Sequence, residues 1–178
     1  MNYKLKATLC EMTYNQLKEQ FAGIFEANIG IILKISRAYT NTAQDREDLV
    51  NDIALELWRA YPRFRGEAKL STWIYRVALN TSMNYKRKRK NELIFVPEAK
   101  GNEYFSHLFE TEEDFSASEI LYKCIDELNG INKAIIILYL DGNSHDEIAE
   151  ITGISKTNVG TRISRIKEDL RKLAITKK

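Results

Sequence analysis

The chain has 178 residues, 44% of them hydrophobic, with only 8 Gly and 2 Pro. That suits one compact domain or two small ones, and argues against a β-rich fold full of tight turns. Net charge is +2 but uneven: residues 1–90 carry 16 Lys/Arg against 9 Asp/Glu, residues 91–128 carry 2 against 10, and residues 129–178 carry 9 against 6. Two basic blocks around an acidic one suggest two polyanion-binding modules and a connector. No apolar run approaches the roughly 20 residues that span a bilayer, and the N-terminus lacks a signal peptide's apolar core. Cys10 and Cys124 match no metal or redox spacing. A cytoplasmic protein with reduced thiols is expected.

In chain order, Leu17, Phe21, Ile24, Phe25, Ile31, Ile32 and Ile35 recur at helical spacing from Tyr14 to about Tyr39, with an interruption expected near Gly30. Asp45 is a candidate cap for a second helix, Arg46 to about Tyr61. Pro62 ends it, because proline disfavours helix in the residue before it. Residues 62–69 form a basic loop. A third helix starts near Ser71 or Thr72 and reaches about Arg89. Residues 92–114, with Pro97, Gly101 and a Glu-Thr-Glu-Glu-Asp run, are expected to be linker. Helical pattern resumes around Ile120–Leu128, then Lys133–Leu140. After a turn at Asp141-Gly142-Asn143 come two more helices, about Ser144–Ile151 and Ser155–Leu173. The expected fold is all-α, with helical domains at 1–91 and 115–178.

The last two helices carry the clearest motif. Ser144 and Glu147 have capping-box spacing, and Gly153 suits a left-handed turn. Ser155 caps the next helix, whose Val159, Ile163, Ile166 and Leu170 form an apolar stripe. Its other face offers Lys156, Thr157, Asn158, Thr161, Arg162 and Arg165. A short helix, a tight turn and a longer polar-faced helix make a helix-turn-helix, with the second helix suited to the major groove. There Arg pairs with guanine edges and Asn with adenine edges.

In the basic N-terminal block, Leu70, Trp73, Ile74, Val77, Ala78 and Thr81 are expected to face the first two helices. Thr72, Arg76, Asn80, Met83 and Asn84 share the remaining face, with Arg87 below and Tyr75 at the side. Polar groups near aromatics, beside the loop containing Phe64, Arg65 and Lys69, suit unstacked bases. The run from Lys86 through Arg87 to Lys90 suits phosphates. Asp48, Asp52 and Glu56 lie four apart on the second helix. This carboxylate stripe admits three readings: solvated surface, a dock for a basic protein, or ligands of a metal in a DNA-processing enzyme. His107 and His145 lie elsewhere in the chain.

Together, "DREDLVNDIALELWRAYPRFRGEAKLSTWIYRVALNTSMNY" and "HDEIAEITGISKTNVGTRISRIKEDLRK" resemble the bacterial RNA polymerase sigma factors of the extracytoplasmic-function group, over nearly the whole chain. The resemblance implies a non-catalytic protein without metal or cofactor, and without membrane insertion. It implies docking of Asp48, Asn51, Asp52 and Glu56 on the clamp helices of the polymerase largest subunit, with the C-terminal domain toward the flap. Phe64, Arg65 and the following loop, with Ser71, Thr72, Tyr75, Arg76, Asn80 and Asn84, would take the −10 strand, with Lys86 and Arg87 alongside. The −35 set is Ser155, Lys156, Thr157, Asn158, Thr161, Arg162 and Arg165. Further partners implied are an anti-sigma factor or an accessory DNA-targeting protein. The chain departs from the family pattern at Asn51, at Leu128-Asn129 and Lys133, and at Gly160, where a larger residue is frequent. Glycine there costs about 1 kcal/mol of helix stability and is expected to leave a gap in the −35 contact. The competing readings are a stand-alone helix-turn-helix regulator and a metal-dependent nuclease or recombinase.

Overall fold

A computed structural model describes residues 14–91 and 116–176. Among them are seven α-helices and no strand: α1 Tyr14–Tyr39, α2 Ala43–Ala60, α3 Leu70–Asn91, α4 Ser116–Asp126, α5 Gly130–Leu140, α6 His145–Thr152 and α7 Lys156–Thr176. The all-α expectation holds. The expected linker, Cys10 and His107 lie outside the described residues. Helices α1, α2 and α3 pack on one another. So do α5, α6 and α7, with α4 against α5 and α7. The two groups also meet, through α3 on α6 and through α1 on α4 and α5.

Helix α1 runs unbroken through Gly30. Its Phe25, Ile32 and Ile35 are buried, and packing of that face outweighs the glycine's penalty of about 1 kcal/mol. The cap of α2 is Thr42, whose side chain accepts from the Asp45 amide. Asp45 instead forms an ion pair with Arg89 near the end of α3. Leu49, Val50, Ile53 and Leu57 of α2 are buried. An aromatic series runs from Tyr14 through Trp58, Phe21 and Tyr61 to Trp73 and Phe64, with ring centroids 4.9–6.5 Å apart. It ties the loop after α2 to the start of α3.

The buried side chains of α3 are Thr72, Ile74, Tyr75, Ala78, Leu79 and Ser82. Trp73 and Val77 are only partly buried. Thr72 and Tyr75, expected at or beside an exposed face, are 3% and 5% exposed. The physical reason is that α3 is covered by α1 and α2 and also by α6.

In the C-terminal half, Ser144 and Glu147 form the capping box and Gly153 takes φ 74°, as the sequence predicts. Val159, Ile163 and Ile166 are buried and Leu170 packs against them. The glycine at 160 does not open a gap into solvent. A β-carbon there would meet the His145 imidazole at 3.7 Å, an ordinary contact, so the position faces the start of α6.

The two halves are pinned together by a buried cation. Lys133 is 1% exposed. Its Nζ donates to the Ala38 carbonyl at 3.0 Å and to Asp126 Oδ1 at 2.5 Å, and lies 5.3 Å from the Tyr39 ring centre. Lys86 Nζ reaches the same Asp126 oxygen at 2.6 Å. Tyr39 Oη donates to the Gly130 carbonyl at 3.1 Å. Burial pulls the Lys133 ammonium down to about 8, against the pull of Asp126. Burial opposes ionisation of Asp126, but hydrogen bonds from Lys133 and Lys86 outweigh it and hold the carboxyl at about 2.

Two outcomes are expected. A carboxyl depressed in the folded state adds stability that is present above its unfolded value of about 4 and is lost as pH falls through the folded value. Acid unfolding of the wild-type chain should therefore steepen below about pH 4, while Asp126→Asn should be weaker at neutral pH and lose less between there and about pH 2. Parallel acid profiles in urea unfolding would show that this carboxylate does not govern the seam. Secondly, Gly160→Ala should stabilise the chain by about 0.5–1 kcal/mol in the same assay. A loss would mean that His145 cannot accommodate the methyl.

Candidate nucleic-acid interface

The loop between α2 and α3 starts with a 3₁₀ turn, Tyr61–Arg63. Phe64 follows, half-buried against the Trp73 ring at 4.9 Å. Arg65 is exposed and Gly66 takes φ 68°. The left-handed backbone, open to glycine without steric cost, turns the chain back toward α3 and presents Arg65 outward. Lys69 is exposed and its Nζ meets Glu147 Oε1 at 2.8 Å. Ser71 is half-buried at the start of α3.

Along α3, Arg76, Asn80, Asn84, Lys86 and Arg87 are exposed. Arg87 Nη2 donates to Asn84 Oδ1 at 3.2 Å. Arg76 is engaged across the seam, its Nε and Nη2 donating to the Glu150 carbonyl at 3.1 and 2.5 Å. Tyr75 Oη donates to the Asp141 carboxylate, which also pairs with Lys34. Burial first, then the contact with Asp141, pushes the Tyr75 phenol up to about 12. It is a proton donor at neutral pH. Exposed Asn80 and Asn84 thus stand clear of the seam, whereas Lys69, Tyr75, Arg76 and Lys86 are turned into it.

On α2, Asp52 and Glu56 are exposed, and Asp48 and Asn51 half-buried. Burial, with the like charges of Asp48 and Glu56 adding to it, pushes the Asp52 carboxyl up, against the pull of Lys88. Glu56 pairs with Arg59 at 2.8 Å, and Gln44 donates to Asp48 at 3.4 Å. Leu55, at 45% exposure, offers apolar area on this helix. Among the described residues no three His, Cys, Asp or Glu groups converge as ligands for a metal ion.

On α7, Ser155 Oγ accepts from the Asn158 amide at 3.4 Å. Lys156 pairs with Asp146 at 2.7 Å. Thr157, Asn158, Thr161 and Arg165 are exposed. Arg162 is half-buried, and its Nη1 donates to Asn132 Oδ1 on α5 at 2.9 Å. The two arginines, equal in sequence, therefore occupy different settings: Arg162 ties α7 to α5, and Arg165 points outward.

Sequence reasoning passed over Asp126, Asp141 and Glu150, which take up cations of the N-terminal half. A signal was present: residues 141–150 hold four Asp/Glu and no Lys or Arg inside a basic block. No helix among the described residues is long and apolar enough to cross a membrane.

Residues 24–92 match the family described as Sigma-70 region 2, and residues 118–170 that described as Sigma-70, region 4. The ECF RNA polymerase sigma-E factor of Haemophilus influenzae is 31% identical over 135 residues, 70% of this chain and 71% of the relative. Its namesake in Escherichia coli K12 is 33% identical over the same shares. Two solved structures share the fold. The sigma factor RpoE of Bartonella quintana, in complex with the anti-sigma factor NepR, has a TM-score of 0.63 at 20% identity, covering 89% of this chain and 96% of its own. CnrH, in complex with the cytosolic domain of CnrY, has a TM-score of 0.67 at 18% identity and covers 99% of both chains. With both regions present in order and curated relatives matched over most of their length, the chain belongs to the extracytoplasmic-function sigma factors, the promoter-recognising subunits of bacterial RNA polymerase.

Proposed function

We propose that this sigma factor divides its work among three surfaces. The α2 face of Asp48, Asn51, Asp52 and Glu56 docks on the clamp helices of the polymerase largest subunit. The Phe64–Lys69 loop and the Arg76–Asn84 face of α3, with Lys86 and Arg87, take the unpaired −10 strand. The exposed side of α7 lies on the −35 element, with Arg165 reading a base and Arg162 fixing the helix to α5. The protein performs no catalysis and acts in the cytoplasm. Promoter melting is physical: binding of unstacked bases offsets the few kcal/mol that unstacking costs.

The observation that carries this reading is the segregation of exposed charge. Carboxylates line α2 beside exposed Leu55, while Arg65, Arg76, Lys86, Arg87 and Arg165 stand exposed on the other two surfaces. Polymerase supplies the spacing of the two DNA-reading surfaces, so the free chain binds DNA weakly. By likeness to the neighbour bound to NepR, an anti-sigma factor is the expected regulator. An accessory DNA-targeting protein would lessen the demand on −35 reading.

Run-off transcription with purified core polymerase tests the proposal. The wild-type chain should confer promoter-specific transcripts. Asp52→Lys should abolish pull-down of core polymerase with helicity unchanged. Asn80→Ala should retain pull-down, change stability by no more than about 0.5 kcal/mol as an exposed site, and lose permanganate reactivity at the −10 region. Normal pull-down by Asp52→Lys, or normal opening by Asn80→Ala, would remove the corresponding surface from the mechanism.

A further inference from the structure

A cleft lies between the second half of α3 and the turn that leads into α5. Its volume is about 450 Å³, within the roughly 300–1,000 Å³ of small-molecule sites. Lys133 and Tyr39, 1% and 4% exposed, form its floor. Met83 and Leu128, both half-buried, are apolar walls. Lys86 and Arg87 stand exposed at its mouth. Three cations among the lining residues thus face one carboxylate, Asp126, which Lys133 and Lys86 share at 2.5 and 2.6 Å. The Lys133 ammonium, though drawn down to about 8 by burial, is charged at neutral pH. The Arg87 guanidinium meets a neutral partner, Asn84 Oδ1, at 3.2 Å. Gly130, also in the lining, is the first residue of α5, where a backbone N–H has no acceptor within its own helix.

We infer that this cleft binds a nucleoside monophosphate, with its phosphate between Lys86, Arg87 and the Gly130 amide, and its base against Met83 and Leu128 over the Tyr39 ring. Three cations and one carboxylate leave two positive charges, and a phosphate monoester carries about −1.5 to −2 at pH 7. A guanidinium engages two phosphate oxygens at once, in charge-assisted hydrogen bonds. A thioether and an aromatic ring suit the flat face of a base. The buried floor favours a single nucleotide over a strand. A cleft closed by Lys133 and Tyr39 admits one base and its phosphate, whereas a chain passing the mouth would touch Lys86 and Arg87 and leave the apolar walls unused. The inference does not depend on the −10 role proposed for Lys86 and Arg87.

The test is titration calorimetry of the full chain with adenosine and guanosine monophosphate, and separately with inorganic phosphate and with each nucleoside. At least one monophosphate should bind saturably at one site, more tightly than its nucleoside or phosphate alone. Arg87→Ala should weaken it roughly 10-fold or more. Lys88→Ala, which removes the same charge from the next exposed position on α3, should change it by no more than about twofold. Met83→Trp, which fills the cleft, should abolish binding. If that variant does not fold, the contrast between Arg87→Ala and Lys88→Ala decides. No binding by either monophosphate, phosphate alone binding as tightly, an equal loss in Lys88→Ala, or undiminished binding by folded Met83→Trp overturns the inference. A short single strand lacking a terminal phosphate is titrated alongside. If Met83→Trp weakens the strand as much as the monophosphate, the cleft is a groove for backbone phosphates and the assignment to a free nucleotide fails.

Discussion

The architecture depends on one buried charge. Lys133 lies at the start of α5 and places its ammonium against the Ala38 carbonyl near the C-terminus of α1, with Asp126 as counter-ion. A lone ammonium so buried would be costly, and the cost is met only when partner and hydrogen bonds are all present. The carbonyl end of a helix also favours a cation. The ammonium comes from α5 and its two partners from α1 and α4, so satisfying it fixes the C-terminal helices on the N-terminal bundle. An apolar seam alone would permit sliding, whereas a buried ion pair has one geometry. Tyr39, donating to the Gly130 carbonyl beside it, reinforces that register.

From this anchor the remaining seam follows. Once α5 is seated on α1, the turn after it delivers Asp141 to Lys34 and Tyr75, and α6 then lies along α3. The helix that supplies the helix-turn-helix with its first element thus also packs along α3. Its amino-terminal carboxylates complement its own macrodipole, so the acidity has a local reason as well as a role across the seam. One short helix serves three demands: packing on α7 through Ile148 and Ile151, capping, and charge complementarity to α3.

The carboxylate stripe of α2 stands apart from all this. Among the described residues, α2 packs chiefly on α1 and α3. Its exposed carboxylates repel one another, which a basic partner would relieve. Helix α7 is likewise outward-facing along Thr157, Asn158, Thr161 and Arg165. The carboxylate face of α2 and the outer face of α7 are exposed, while Lys69, Tyr75 and Arg76 are engaged by the C-terminal helices.

Helix periodicity, the Ser144–Glu147 capping box, the Gly153 turn and the Val159–Ile163–Ile166 stripe were legible in the sequence because each is a local property, set by residues within a turn or two of one another. The order of the two sigma motifs identified the family for a similar reason: spacing along the chain carries it. The flanks of α3 were not legible. A helical stripe tells which face is apolar, but Thr72 and Tyr75 lie at its margin, and their burial was decided by α6, some 70 residues further on. Asp45 read as a cap, yet Thr42 holds that place and Asp45 pairs with Arg89. Arg162 and Arg165 read alike until Asn132 distinguished them. Lys133 read as an ordinary polar start to a helix. Its burial needed Ala38 and Asp126 brought together in space, because a charge enters a protein interior only where distant parts of the chain can satisfy it.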